Sequence, residues 1–243
     1  IPMSPAEMAL VAQEAETRFL GTQCGIMDQM ASARANRGAA LLLDCRSLES
    51  MPIAVAKDLS VVIIDSGVRR ELAQSEFNAR RQECEAAARQ LGVAALRDVD
   101  PAPLAAAKAR LEPTLFKRAR HVVSEIARVE PMAVALAHGD TASLAAIMQA
   151  SHASLRDDYE VTVPEVDALA KVVSEALHDG DTPLGGVRMT GAGFGGCLVA
   201  LVRRSAAQKV LDAVKLTYNA DAEIPASADF YEMAGGAREI SRN

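Results

Sequence analysis

The run Gly191-Ala192-Gly193-Phe194-Gly195-Gly196 constrains the fold most, because apolar, strand-like segments flank it at Gly186 to Thr190 and Cys197 to Arg203. Its glycines satisfy the pattern GxGxxG, which invites a dinucleotide-binding reading. That reading needs a helix directly after the glycines, so that a pyrophosphate meets the helix N-terminus. Here the β-rich run Cys197-Leu-Val-Ala-Leu-Val202 follows instead. The segment therefore reads as a glycine turn between two strands, with positive φ angles that residues lacking Cβ adopt freely.

The rest of the chain gives that pair of strands a mostly helical setting. Ser4-Pro5-Ala6-Glu7 has the form of a capping box with proline at the first helical position, and Gly21 ends the periodic segment that follows. A short helix holding Asp28 early is expected to run to about Ala33. Ala39 to Asp44 and Ser60 to Asp65 read as strands. Pro52 and a change of character over residues 50 to 58 suggest a boundary between domains 1–55 and 56–243. Helices are expected over 71–91, closed by Gly92, and over 101–111, 113–129, 131–138, 140–155, 164–178 and 205–217, with a last strand near 228–233. The expected class is α+β, without the regular alternation of a parallel sheet.

Composition narrows the partners. Net charge is −6 without blocks of like charge, which argues against nucleic acid or an anionic membrane, and Arg80-Arg81 and Arg203-Arg204 read as solvated element ends. Aromatic residues make up only 3% of the chain, so platforms for stacking bases are scarce. Cys24, Cys45, Cys84 and Cys197 lack the spacing of a zinc site or a disulfide framework, and a reducing cytoplasm fits them. No apolar run reaches the roughly 18 residues of a membrane span.

Five segments carry chemistry or pattern: Gly21-Thr22-Gln23-Cys24-Gly25-Ile26-Met27-Asp28-Gln29, Leu43-Asp44-Cys45-Arg46-Ser47-Leu48, Ser75-Glu76-Phe77-Asn78-Ala79-Arg80-Arg81-Gln82-Glu83-Cys84, Ser151-His152-Ala153-Ser154-Leu155-Arg156-Asp157-Asp158-Tyr159, and Met189-Thr190-Gly191-Ala192-Gly193-Phe194-Gly195-Gly196-Cys197. A carboxylate at a helix start is by itself usually a cap. His152 near Ser and Asp imitates a charge relay, but groups so close in sequence cannot converge as a triad does. A packed, hydrogen-bonded loop is expected there. His121, His138 and His178 read as structural or exposed.

In order and spacing, these five segments resemble those of galactokinases, within the superfamily of galacto-, homoserine, mevalonate and phosphomevalonate kinases. The resemblance implies a GHMP-kinase-like α+β fold: the end of an N-terminal domain carrying the catalytic aspartate, then a mainly helical α+β C-terminal domain. It implies transfer of the γ-phosphate of ATP to the C1 hydroxyl of α-D-galactose, with Mg2+ as cofactor and galactose and ATP as partners. Asp28 matches the family's catalytic base, Cys24 and Gly25 the sugar side, and Glu16 a magnesium ligand. Gly191, Gly193, Gly195 and Gly196 match a motif beside the active site. Phe77 stands where galactokinases commonly have a sugar-bonding tyrosine, and Ala192 replaces a frequent glycine.

Two family motifs have no counterpart in these residues: an N-terminal arginine with a Glu-His-x-Asp sugar cluster, and the Gly/Ser-rich loop that cradles the phosphates. The resemblance places both before Ile1. The 243 residues alone are therefore expected to be inactive, and to self-associate through the uncovered apolar faces of Leu41, Leu42 and Leu43. A kinase of N-acetylgalactosamine or arabinose, a non-catalytic galactose and ATP sensor, and a truncated, non-functional product remain the alternatives.

Overall fold

A computed structural model of the chain describes residues 3–21, 24–69 and 73–237. Thr22, Gln23 and the expected helix start at Glu71 and Leu72 lie outside the described residues. The N-terminal helix α1, Pro5–Ala15, opens as its sequence dictates: the Ser4 hydroxyl accepts from the Glu7 amide, and the Glu7 carboxylate accepts from the Ser4 amide. It continues through a wide π-type turn, Glu16–Leu20, and stops where Gly21 turns left-handed at φ 70°. Helix α2, Met27–Arg34, packs on α1 through Ala9, Ile26 and Met30, with Leu43 and Leu48 alongside.

Strands β1, Ala39–Leu43, and β2, Ser50–Ala54, form an antiparallel hairpin. Residues 50–54 thus extend as a strand where the sequence suggested only a change of character. Pro52, which cannot donate to a ladder, is tolerated because this sheet has two strands and each keeps an open side. Leu41, Leu42 and Leu43 are half-buried.

The main sheet has the order β6-β7-β3-β8, where β3 is Leu59–Asp65, β6 Gly185–Met189, β7 Cys197–Arg203 and β8 Ser227–Tyr231, all antiparallel to their neighbours. Alternation makes the core: Val62, Ile64, Leu198, Ala200 and Val202 are fully buried, against Leu169 of a covering helix. Each of these buried Val, Ile and Leu side chains contributes about 1.5–3 kcal/mol by leaving water.

Between β3 and β6 the chain is helical: α3, Ala73–Leu91; α4, Pro101–Ala107; α5, Pro113–His138; α6, Thr141–Ser154, extended by a wide turn Leu155–Tyr159; and α7, Pro164–Ala176. A two-residue hairpin, β4 His178–Asp179 with β5 Thr182–Pro183, precedes β6. After β7 come α8, Ala207–Asp212, continued by Ala213–Tyr218, and α9, Asn219–Asp221.

Two expected helices, 113–129 and 131–138, are one. Pro131 lies inside α5, its fixed φ suits a helix, and the carbonyl it deprives, that of Ala127, belongs to an exposed residue that water can reach. Burial of Ala135 and Leu136 against Leu59 and Leu144 keeps the second half helical. The expected helix over 101–111 ends at Ala107, and that over 164–178 at Ala176.

Candidate active site

Residues on α1 and α2 converge at one point. Glu16 follows α1 directly and is half-buried. Its Oε1 accepts from Gln29 Nε2 at 2.8 Å, and its Oε2 faces the Cys24 thiol at 3.6 Å. Gln29 Nε2 is also 3.8 Å from that sulfur, and Gln13 Nε2 donates to the Cys24 carbonyl at 3.1 Å. The carboxylate and thiol singled out in the sequence are therefore neighbours, held by an amide that sequence reasoning passed over.

Asp28 precedes Gln29 in the first turn of α2. Burial of Ile26, Gln29 and Met30 on one side of the helix leaves Asp28 exposed on another, as a 3.6-residue period requires. The position suits a carboxylate, since unpaired N–H groups at a helix start favour negative charge. Gly25 is exposed, and a Cβ there would meet nothing within 4 Å; a ligand can approach the backbone closely. Phe77 lies near the start of α3 and is partly buried.

The far end of the chain grips α2. Gly236 N donates to the Ala35 carbonyl at 2.7 Å, Ala237 N to Ser32 O at 2.6 Å, and Gly38 N to Met233 O at 2.9 Å. A Cβ on Gly236 would stand 3.0 Å from Ser32 O and 3.1 Å from the Ala33 carbonyl carbon. Glycine lets the segment following β8 lie flat on the helix that carries Asp28.

The glycine turn is built as the sequence predicted, between β6 and β7. At Gly193 a Cβ would fall 2.6 Å from Val161 O, and at Gly195 2.6 Å from Val68 O, with φ of 90° and 124°. Phe194 itself has a positive φ, 60°. The Phe194 amide donates to Val161 O at 2.7 Å, and its buried ring lies 5.9 Å from the Arg80 guanidinium. Strain of this kind persists only where surroundings enforce it, and it clusters at ligand-contacting segments. Ser66 clamps the turn further, its amide and hydroxyl both donating to Gly196 O at 3.0 and 2.7 Å. Thus Arg80 ties the turn to α3, the helix that also holds Phe77.

Arg80 is not the solvated helix charge expected. It donates to the carbonyls of Tyr159 and Glu160 at 2.7 and 3.2 Å. Beside it Arg118, 2% exposed, donates to Glu83, to the Asp158 carbonyl and to Glu160 at 2.6, 2.5 and 2.8 Å. Arg120 pairs with the Asp158 carboxylate. Arg203 and Arg204 stay at the solvated surface, as expected of a strand end, where they bond the Asp58 carboxylate and the Lys57 carbonyl. The arginines on helices gave no sign of their partners, which lie 35 or more residues away in sequence.

The Ser151 to Tyr159 segment is helical rather than a loop, but it is hydrogen-bonded. His152 Nδ1 accepts from the Met189 amide at 3.1 Å, which leaves the proton on Nε2 to donate to Asp167 Oδ1 at 3.1 Å. Thr162 occupies the other Asp167 oxygen. Burial holds the His152 pKa down. His121, stacked on Tyr159 at 4.3 Å, bonds Ser154 at 3.0 Å, and burial pushes its pKa down to about 4. His138 and His178 are exposed.

Comparison with known proteins identifies the architecture. Residues 132–220 match the family model for the GHMP kinases C-terminal domain. Over 99% of this chain the fold superposes on Lactococcus lactis galactokinase, solved with galactose, at a TM-score of 0.90 and 31% identity. L. major mevalonate kinase, solved with R-mevalonate, gives 0.61 at 19% identity over 97% of the chain, and Cytophaga hutchinsonii homoserine kinase 0.55 at 15% over 96%. These two show the shared fold. The chain spans 62%, 60% and 58% of the three proteins, respectively. No helix among the described residues is long and apolar enough to cross a membrane. Residues 132–220 thus carry a GHMP kinase C-terminal domain, and the chain as a whole has the GHMP-kinase fold with a galactokinase-like structure.

Proposed function

We propose that these residues form the C-terminal part of a cytoplasmic galactokinase, which transfers the γ-phosphate of ATP to the C1 hydroxyl of α-D-galactose and yields galactose 1-phosphate. The match along 99% of the chain to a galactokinase solved with galactose carries this reading. The four cysteines are free thiols, consistent with a reducing compartment. On this reading residues 1–55 close an N-terminal domain and 56–243 form the C-terminal one. The division falls between the β1–β2 hairpin and β3.

Asp28 is the base. Exposed at the start of α2, its carboxylate accepts the hydrogen bond of the sugar hydroxyl and takes its proton as the bond to phosphorus forms, a contribution of about 10²–10⁴ in rate. Gly25 brings bare backbone to the sugar, and Cys24 shapes that wall. Phe77 offers a ring without a hydroxyl, which favours a sugar pocket with one fewer hydrogen bond. N-acetylgalactosamine and arabinose are therefore the competing substrates. The glycine turn lets main chain approach the reacting groups.

Glu16 fits magnesium in part. It is a hard oxygen donor with its orientation fixed, and magnesium needs few protein ligands when phosphates and water fill the remaining positions. No group of three or more His, Cys, Asp or Glu residues converges among the described residues, so Glu16 would hold the ion with the nucleotide rather than within a protein cage. Bound there, magnesium would offset charge on the phosphate oxygens.

Initial rates of ADP release by the full-length protein, measured with galactose, N-acetylgalactosamine, arabinose, mevalonate and homoserine, test the assignment. Galactose is expected to give the highest kcat/KM. A higher value with any other acceptor replaces it.

A further inference from the structure

The side chain of Gln29 is 8% exposed and does two things at once. Its Nε2 donates to Glu16 Oε1 at 2.8 Å and lies 3.8 Å from Cys24 Sγ. Its Oε1 is buried and has no hydrogen-bond partner among the described residues. The amide cannot be turned round to cure this, because its oxygen would then sit against the Glu16 carboxylate. Buried acceptors are normally bonded, and one left open beside a carboxylate and next to an exposed aspartate is matched to a donor that arrives with a ligand.

We propose that Gln29 is a positioning residue for the Glu16 carboxylate and that its Oε1 receives an O–H donor brought by the reactants. The inference rests on the kinase reading above. Two sources share this chemistry: a water molecule held by the cation, which keeps several waters when bound, and a hydroxyl of the sugar. The amide N–H fixes the direction in which Glu16 presents its oxygens, as outer partners do for metal-ligating groups generally, where losing such a partner lowers metal affinity 10–100-fold. Cys24 completes the arrangement, its thiol facing the second carboxylate oxygen.

Two variants of the full-length protein separate the halves of the proposal. Gln29→Met fills the same space without donor or acceptor, and Gln29→Glu keeps an acceptor but sets a second carboxylate against Glu16. Three quantities are read: the Mg2+ concentration giving half-maximal ADP release, the KM for galactose, and the rate of Cys24 alkylation by iodoacetamide followed by peptide mass spectrometry. Both variants are expected to raise the Mg2+ requirement about tenfold or more, and to change Cys24 alkylation severalfold, with the melting temperature held.

If Gln29→Met alone also raises the galactose KM, the donor at Oε1 is a sugar hydroxyl; if that KM stays put, it is a cation-bound water. Mg2+ requirement and alkylation rate both within twofold of the parent in both variants would overturn the proposal. If the parent protein shows no galactose-dependent turnover, the functional reading fails by itself. The alkylation rate, together with the Mg2+-dependent thermal shift in ADP, still reports whether Gln29 orders Glu16 and Cys24.

Discussion

Two polar clusters in this molecule are built on opposite principles. Around Arg118 the guanidinium reaches Glu83, Glu160 and the Asp158 carbonyl, so a buried charge is neutralised and bonded on every side. Around Glu16 the partners are a thiol and an amide, and one buried acceptor, Gln29 Oε1, stays open. Both clusters join distant segments, yet only the second keeps bonding capacity in reserve. A saturated network secures packing, because any missing partner is expensive in low dielectric. An unsaturated one beside an exposed carboxylate is suited to receive something.

The largest expected effect breaks the first cluster. Arg118→Met should lower folding stability by about 3–5 kcal/mol, the usual result of removing one member of a buried ionic group, as read from urea unfolding. Loss under 1 kcal/mol would mean that the network is dispensable and the contrast false. Gln29→Met should be far milder on the same measurement, even though its side chain is almost as buried.

The next test uses pH on the same network. His121 is neutral because burial outweighs the pull of Glu125 and Asp158 toward the charged form, and its pKa falls to about 4 from 6.5. The unfolded chain then binds more protons between those values, so stability rises with pH from about 4 to 6.5 and falls as the medium is acidified through that window. At about 1.36 kcal/mol per unit the contribution is at most about 3 kcal/mol. His121→Phe should flatten the pH dependence of the melting temperature in that window. An unchanged slope would assign it to His152, whose pKa burial also lowers, or to the carboxylates.

Gly236→Val probes the functional side, where the segment after β8 lies on α2. Overpacking against Ser32 and Ala33 should cost about 1–3 kcal/mol and appear as a lower kcat with little change in the KM for ATP. Equal loss in both constants would make the contact a general stabiliser. Smallest is Phe77→Tyr, which restores one hydroxyl worth about 0.5–1.5 kcal/mol and should lower the galactose KM. If that KM does not move, residue 77 does not face the sugar.

The elements that local chemistry dictates were legible in the sequence. The Ser4 capping box, the Gly21 and Gly92 stops and the glycine turn between two apolar runs all depend on neighbours within a few residues. Asp28, Glu16 and Cys24 were singled out through the family resemblance; the structure brings Glu16 and Cys24 together and leaves Asp28 exposed in the first turn of α2. Long-range events were not legible. Arg80 and Arg118 look like any helix surface charges until the wide turn after α6 reaches them, and Pro131 reads as a break until the packing of Ala135 and Leu136 keeps α5 continuous. Gln29 gave no signal because its role comes from a partner 13 residues away on another helix. The clasp of Gly236 on α2 joins ends of the chain roughly 200 residues apart, beyond any periodicity.

On the proposed reading, Asp28 accepts a proton from a sugar hydroxyl during phosphoryl transfer. The most direct measurement is galactose-dependent ADP release by the full-length protein in Mg-ATP, beside its Asp28→Asn variant. Turnover is expected to drop by about 10²–10⁴ in the variant while the melting temperature stays the same. Turnover retained by Asp28→Asn within a few-fold of the parent would contradict it.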